Sequence, residues 1–300
     1  MNRVKGILMI VLGSMFWGAT GPLMEWLLAE TDMSAMFMLS VRLVIAGTLL
    51  LLFLQFSGTN MLELWNDRSS AVQMIVFSTV GMLGLQLSFT KTIEESNAVL
   101  ATLLQFVAPI FIIIYVSVKG KTWPQRAQII GMHGTLTGLY LLLTNGSLST
   151  VLISEKALMW GTVLAFTYAF YTLYPARLMK KWGVLTVVAW GILLSGIEVG
   201  LLSKVWQSDE WVLLKDGTII AVLVFLVLFG SAAYILFLAS LKYLSPVETS
   251  VLSSVEPLTA TIISMIWLGL SMLKWQYVGM ACMLVFVVYL SVAGAKKVKV

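Results

Sequence analysis

The chain has 300 residues, of which 59% are hydrophobic and only 11% charged, and its formal net charge is +5. Soluble globular domains are about one quarter charged. The composition therefore excludes a soluble protein and indicates an integral membrane protein. The single cysteine, Cys282, excludes an internal disulfide.

Ten windows of mostly apolar residues follow one another along the chain. As a helix, each window is long enough to cross a hydrocarbon core of about 30 Å. Transmembrane strands would be only about ten residues long and would alternate in polarity, so the windows predict an all-α membrane protein. The predicted spans are 6–28, 34–56, 70–90, 97–118, 127–144, 157–176, 184–203, 217–241, 247–269 and 275–294.

The first four spans contain polar and flexible residues that lipid does not favour. Trp17 lies in the stretch WGATGP, whose glycines and proline loosen the first span, and Glu25 lies near the outer end of that span. Arg42 is about 12 Å deep in the second span. In the fourth span, Pro109 cannot donate a backbone hydrogen bond to the carbonyl of Gln105, which predicts a kink.

The sixth and seventh spans contain three further candidates for a binding site. Tyr168 and Trp190 are aromatic residues that can line a cavity, although interfacial belts and packing account for most aromatic residues in membrane proteins. Glu198 lies about 21 Å from the inner end of the seventh span, in its outer half.

The ninth span places an acid directly before a proline near the middle of the membrane. Glu256 is about 14 Å into this span, and Pro257 frees the carbonyl of Ser253. An ionisable group at such a depth costs about 2.5–3.5 kcal/mol even on the most permissive insertion scale. Thr249, Ser253, Glu256 and Thr259 share one helix face, which we expect to contact protein or water.

Each of these ionisable residues has a structural interpretation beside a functional one. Glu256 either lines an ion or substrate pathway or forms a structural hydrogen bond to a neighbouring helix. Arg42 either binds an anionic group or pairs with Glu25 or Glu198. His133 lies among glycines with small-xxx-small spacing, which favours close helix packing over a proton relay.

The distribution of lysine and arginine predicts the orientation of the chain. With ten spans and both termini inside, thirteen basic residues fall on the inner side and five on the outer side. This positive-inside bias predicts a multi-pass protein of the cell membrane with both termini cytoplasmic. It also accounts for the net positive charge without nucleic-acid binding.

The chain carries a weak internal repeat. An offset of 148 residues aligns the apolar windows of one half with those of the other, together with Phe89 and Phe237, Pro109 and Pro257, Gly131 and Gly279, Arg42 and Trp190, and Gln105 and Ser253. Because each half has five spans, the two copies enter the membrane from opposite sides. We therefore predict two inverted five-helix repeats, 1–148 and 149–300.

Four stretches resemble the drug/metabolite transporter superfamily in its ten-span EamA-type branch. They are MFWGATGPL (15–23), SVRLVIAGTLLLL (40–52), SNAVLATLLQFVAPIFIIIY (96–115) and LKYLSPVETSVLSSVEPLTATIIS (241–264). The resemblance covers the whole chain and implies the ten-helix fold, transport of small metabolites, and export as the expected direction.

One departure from the family pattern concerns the loops after the fourth and ninth spans. Family members often have a Gly-Glu turn there, but this chain has Gly120-Lys121 and Gly269-Leu270. A gating role of that acid is therefore not expected here.

Three classes of function are compatible with a membrane protein: a transporter, an intramembrane enzyme and a non-transporting scaffold. The sequence has no HExxH motif, no Cys/His cluster and no phosphate-binding loop, so we expect neither an enzyme nor a cofactor. A scaffold does not require inverted halves with matching kinks. We therefore predict a secondary transporter of a small polar metabolite, an amino acid or an amine, that works by alternating access.

The predicted site is a central cavity lined by spans 1, 2, 4, 6, 7 and 9. Its candidate substrate-binding residues are Glu256, Arg42, Trp17, Trp190, Glu198, Ser253, Gln105 and Tyr168, and its candidate hinges are Pro109 and Pro257. Three acids against one base, with Glu25 included, favour a cationic or zwitterionic substrate. Coupling to protons and uncoupled movement both remain open. Glycine-rich faces in spans 5 and 10 fit either a homodimer or packing within one chain.

Overall fold

The fold is that of a helical bundle, seen in a computed structural model that describes residues 2–147, 153–253 and 255–294. In these ranges the chain forms helices joined by short loops, and no strand occurs. The first five long segments are α1 (Asn2–Glu30), α2 (Ala35–Phe56), the α4–α5 pair (Arg68–Val76 and Gly84–Glu94), the α6–α7 pair (Ala98–Gln105 and Ala108–Gly120) and α8 (Arg126–Thr144), with a short α3 (Glu63–Asn66) before α4.

The second part of the chain also contains both long and broken helices. Its elements are α9 (Glu155–Leu173), α10 (Ala176–Trp182), α11 (Val184–Ser203), α12 (Gly217–Ser240), α13 (Pro246–Leu252), α14 (Val255–Trp267) and α15 (Lys274–Gly294). Short 3₁₀ segments, Val205–Gln207 and Asp209–Lys215, connect α11 to α12.

Six helical segments in the described ranges are long and apolar enough to cross a membrane. They are Arg3–Glu30, Ala35–Phe56, Arg68–Glu94, Ala98–Gly120, Val184–Ser203 and Gly217–Ser240, and Val255–Trp267 is a shorter apolar helix. The structure thus confirms an all-helical chain with several helices of membrane-spanning length.

The helix pairings follow a regular pattern. The most extensive contacts join α2 to α11 and α8 to α15. Helix α1, from the first part of the chain, packs on α12 and α14 of the second part. Helix α9, from the second part, packs on α5, α6 and α7 of the first part. The pairings of α1 therefore have counterparts around α9.

Glycines allow the two closest pairings. A Cβ at Gly196 would lie 2.6 Å from the backbone nitrogen of Val44, and one at Gly138 would lie 2.6 Å from the carbonyl oxygen of Gly279. The glycine face of α8 is thus occupied by α15 of the same chain, as the packing interpretation of the His133 region expected, while His133 itself lies on the exposed side. The glycines of the fifth and tenth predicted spans therefore pack against each other within one chain.

The two predicted kinks are breaks in the helices. Helix α6 ends at Gln105 and α7 begins at Ala108, one residue before Pro109. Helix α13 ends at Leu252 and α14 begins at Val255, two residues before Pro257. Since proline fits the first turn of a helix, where its missing N–H is not needed, each proline starts the second segment.

The third segment has a different irregularity. Between α4 and α5, residues Phe77–Leu83 form a π-helical turn. Such turns accommodate one extra residue per turn and often occur near functional sites. Here the π turn packs against α11 and α9 and precedes the part of α5 that faces the interior.

Candidate functional site

A narrow cavity lies inside the bundle where α1, α2, α5, α6, α12 and α14 meet. Its cavity volume is about 30 Å³, which is room for about two water molecules in this conformation. Its polar lining consists of Thr20, Arg42, Gln86, Gln105, Tyr234 and Glu256, and its apolar lining of Trp17, Met24, Leu85, Phe89 and Gly230. Helices from both parts of the chain therefore contribute to a single polar chamber.

The positive wall of the cavity is formed by Arg42 on α2. Its side chain is only 5% exposed, and its Nη2 donates a hydrogen bond to the Oε1 of Gln86 on α5. Gly230 on α12 lies beside this guanidinium, where a Cβ would make ordinary contact with Nη1 at 4.0 Å. The guanidinium is thus held by a neutral amide.

The negative wall is formed by Glu256, which lies in the first turn of α14 and is 2% exposed. Its Oε2 accepts a hydrogen bond of 3.0 Å from the Nε2 of Gln105 on α6. Gly18 of α1 faces the backbone of this turn so closely that a Cβ would collide with the carbonyl oxygen of Glu256. The break before α14 thus places a carboxylate at the positive end of a helix, inside the bundle.

The two opposite charges share the cavity without neutralising each other. Among the described residues, no ion pair within 4.0 Å joins Arg42 to Glu256. Nor does Arg42 pair with Glu25 or Glu198. Glu25 accepts a 2.8 Å hydrogen bond from the backbone N–H of Ala98 instead, at the start of α6.

An aromatic layer closes one side of the cavity. The ring of Trp17 lies 4.9 Å from that of Tyr234, 5.1 Å from Phe237 and 6.3 Å from Tyr168. The hydroxyl of Tyr168 lies 3.0 Å from that of Ser253. Tyr168 and Ser253 are therefore neighbours of the cavity lining, and Trp17 joins the layer to the chamber.

The burial of Ser253 and Glu256 supports the polar face expected for the ninth span. Thr249 is also buried, whereas Thr259 is only half-buried. This face packs against protein, as the cost of exposing hydroxyl and carboxyl groups to hydrocarbon requires.

Two of the candidate residues lie elsewhere. The indole N–H of Trp190 donates to the carbonyl of Met61, and its ring packs edge-on against Trp65. Glu198 is half-buried and accepts hydrogen bonds from the hydroxyls of Ser78 (3.0 Å) and Thr79 (2.9 Å) in the π turn.

The predicted set of spans that line the cavity also needs correction. Helix α11, the seventh span, packs across α2 through Gly47 and Gly196, so its residues face α2 and the π turn. Helix α9, the sixth span, reaches only the aromatic layer. The third span (through α5) and the eighth span (α12) take their places in the lining.

Sequence reasoning missed Gln86 and Tyr234. A buried glutamine in the apolar stretch GMLGLQLSF carried the same signal as Gln105, since an amide in hydrocarbon also needs a partner. Tyr234 is one of several aromatic residues in the spans, and the sequence does not distinguish it from the others. Its helix face could not be deduced from an almost uniformly apolar α12.

A bundle of apolar helices that encloses a charged chamber between its two parts is the architecture of a membrane transporter. Comparison with known proteins agrees. The EamA-like transporter family matches residues 4–144 and 155–292. The chain therefore belongs to the EamA-like transporter family.

Individual relatives are similar over nearly their full lengths. The uncharacterized inner membrane transporter YicL of Salmonella typhimurium is 31% identical over 98% of both chains. The uncharacterized transporter YwfM of Bacillus subtilis is 25% identical over 97% of this chain and 95% of its own. A protein of known crystal structure shares the fold with a TM-score of 0.72 over 98% of this chain and 99% of its own, at 14% identity.

Proposed function

We propose that the protein is a secondary transporter that moves a small polar metabolite, an amino acid or an amine, across the cell membrane by alternating access. The observation that carries this proposal is the pair of buried, opposite and mutually unpaired charges, Arg42 and Glu256, in one chamber between helices of both parts of the chain. Ionisable groups inside a membrane bundle mark substrate and ion pathways.

The architecture in this proposal has ten spans arranged as two inverted five-helix repeats, 1–148 and 149–300, with both termini in the cytoplasm. Three observations support it. The family matches two segments of similar length. The pairings of α1 have counterparts around α9. The fourth and ninth spans are both broken just before a proline.

The movement consists of one half rocking against the other, so that the chamber opens first to one side and then to the other. Pro109 and Pro257 act as the hinges, because each lies beside a break between two helical segments and has no N–H to bond across that break. Each break lies next to a cavity residue: Gln105 ends α6, and Glu256 begins α14. Bending at a hinge therefore changes the chamber directly.

Two ion pairs fit the role of latches at the two mouths of the chamber. The second residue of α1, Arg3, contacts Glu248 in the first turn of α13 at 3.1 Å. The second residue of α9, Lys156, contacts Glu95 just before α6 at 3.8 Å. In the proposed topology these pairs lie at opposite faces of the membrane, so each one stabilises closure of a different mouth.

Glu256 has two tasks in this mechanism. Its carboxylate binds the ammonium group of the substrate, beside the rings of Trp17 and Tyr234, whose faces attract cations. It also takes up a proton when the substrate leaves, so that substrate and proton compete for one carboxylate. Protons that move down a pH gradient then drive the substrate across the membrane in the direction opposite to their own. The family resemblance makes export the expected direction.

Counterflow in proteoliposomes tests the proposal. Purified protein is reconstituted into vesicles loaded with unlabelled amino acids and amines, and the accumulation of the same compounds in labelled form is measured. The proposal predicts transient accumulation of at least one compound over protein-free vesicles. Absence of exchange for every amino acid and amine would contradict it and would favour a non-transporting role.

A further inference from the structure

We propose that Arg42 and Gln86 form a carboxylate-binding subsite, so that the transported compound is a zwitterion carrying both a carboxylate and an ammonium group. This inference rests on the proposed transport function and narrows it. A compound with only the ammonium group, such as a decarboxylated amine, is then excluded.

The charges that line the chamber are the first argument. Of the four ionisable residues considered for the site, only Arg42 and Glu256 line the chamber, whereas Glu25 and Glu198 are engaged elsewhere. The chamber therefore carries one acid and one base rather than an excess of acids. A neutral substrate with both charges complements such a lining, and a simple cation does not.

Free hydrogen-bond donors are the second argument. Among the described residues, the Nε of Arg42 and the Nε2 of Gln86 are buried and have no hydrogen-bond partner. These atoms belong to side chains that are joined by the Nη2–Oε1 hydrogen bond, and each side chain is at least nine-tenths buried. Buried donors are almost always satisfied in folded proteins, so two free ones at a cavity point to an acceptor-rich ligand.

The chemistry of these donors selects a carboxylate. The Nε and Nη2 of a guanidinium lie on the same edge and match the two oxygens of a carboxylate. Gln86 fixes the orientation of this edge through its Oε1 and offers its own amide N–H as an additional donor. Gln86 is therefore both a positioning residue for Arg42 and a direct specificity determinant.

The opposite wall completes the recognition of a zwitterion. Gln105 donates to Glu256, as Gln86 accepts from Arg42, so each charged group is oriented by a neutral amide. A bound amine would leave the buried charge of Arg42 without a counter-ion. A bound carboxylic acid without an ammonium group would leave the buried charge of Glu256 without one. Uncompensated buried charges and donors are costly, so both analogues are rejected.

The test compares three chemical classes with matched side chains. The panel consists of the common α-amino acids, β-alanine and γ-aminobutyrate, each with its decarboxylated amine and its deaminated acid. Binding is measured by the thermal unfolding of the purified protein, because a ligand of the folded state raises the unfolding temperature. We expect shifts for one or more amino acids and at least about tenfold weaker binding of the corresponding amine and acid.

The outcomes separate this inference from the proposed function. If an amine binds and is exchanged as well as its parent amino acid, the carboxylate subsite is wrong and the transport proposal stands. If no compound of any class binds or exchanges, the proposed function is wrong as well.

Variants of Gln86 test the subsite itself. Gln86→Met keeps the approximate volume but removes the amide, and we expect it to weaken binding of the best amino acid about tenfold while leaving the weak binding of its amine unchanged. Gln86→Glu gives Arg42 an internal carboxylate, and we expect it to abolish amino-acid binding. Gln73→Met, in the same span but outside the chamber, is the matched control.

A role of Gln86 in folding alone gives a different result. In that case Gln86→Met would lower the unfolding temperature without ligand and would reduce amino-acid and amine binding by the same factor. Equal affinity of the wild type and Gln86→Met for the amino acid would also overturn the inference.

Discussion

Replacing Glu256 with glutamine removes one charge from the chamber while changing little else. The new amide can still accept the hydrogen bond of Gln105, which is 3.0 Å long in the wild type, so the break before α14 is retained. A hydrogen bond to a charged group contributes about 1.5–3 kcal/mol. We therefore expect Glu256→Gln to weaken binding of the substrate about 10- to 150-fold.

The same variant separates binding from coupling. Because glutamine cannot release a proton, uptake driven by a pH gradient across proteoliposomes should be abolished. Exchange at saturating substrate, which needs no net proton movement, should persist. Both assays use the amino acid that gives the largest thermal shift.

Glu198→Gln is the matched control, since it replaces another intramembrane acid that lies outside the chamber. We expect its uptake to stay within about twofold of the wild type, a margin of about 0.4 kcal/mol. If Glu256→Gln binds and accumulates substrate like the wild type, the carboxylate has only a structural role and the reasoning is refuted.

Three further predictions concern the scaffold. Reversing the charge of either Arg3 or Glu248 should change the ratio of inward-open to outward-open protein by up to about fivefold, and reversing both charges should restore that ratio. The rate of cysteine labelling from each side of the membrane measures it. Gly138→Leu should destabilise the fold by at least about 1–3 kcal/mol in denaturant titrations, because its Cβ would overlap the backbone of α15. The hydrogen bond from Lys181 lowers the pKa of Asp67 from 3.8 to about 2, so this contact stabilises the fold above about pH 4 and its contribution is lost as the pH falls through 2. The difference in unfolding temperature between the wild type and Asp67→Asn should therefore vanish as the pH is lowered over that range. A difference that stays constant would contradict this assignment.

Much of the helical fold was predictable because hydrocarbon leaves a chain few choices. Long apolar windows must form helices to satisfy their backbone groups, and the two prolines mark the breaks in the fourth and ninth spans. The breaks themselves could have been ordinary kinks, since proline also occurs inside continuous membrane helices. The π turn at Phe77–Leu83 has no proline and no evident sequence signal.

The candidate site was predicted best where polarity was the signal. Glu256, Arg42 and Gln105 are polar residues in apolar runs, and all three line the chamber. Glu198 carries the same signal, but it lies outside the chamber, where its Oε1 accepts hydrogen bonds from the hydroxyls of a neighbouring span. Depth along a helix can be read from the chain, whereas the direction that a side chain faces depends on which helix packs beside it.

The aromatic residues were harder to place because tryptophan and tyrosine serve packing, interfaces and binding alike. The sequence gives Trp17 and Trp190 similar support as candidates, and Trp190 in addition aligns with Arg42 in the repeat. Only the packing of α11 across α2 reveals that Trp190 contacts Trp65 and not the chamber.

The central claim is that one chamber is exposed alternately to the two sides of the membrane. Thr20 lines that chamber and is 4% exposed, so it is a suitable position for a reporter cysteine. In a Cys282→Ala background, Thr20→Cys is labelled with a membrane-impermeant maleimide in right-side-out and inside-out vesicles. Alternating access predicts labelling from both sides and slower labelling when the best amino acid from the panel is present. Labelling from one side only, at a rate that substrate does not change, would contradict the account.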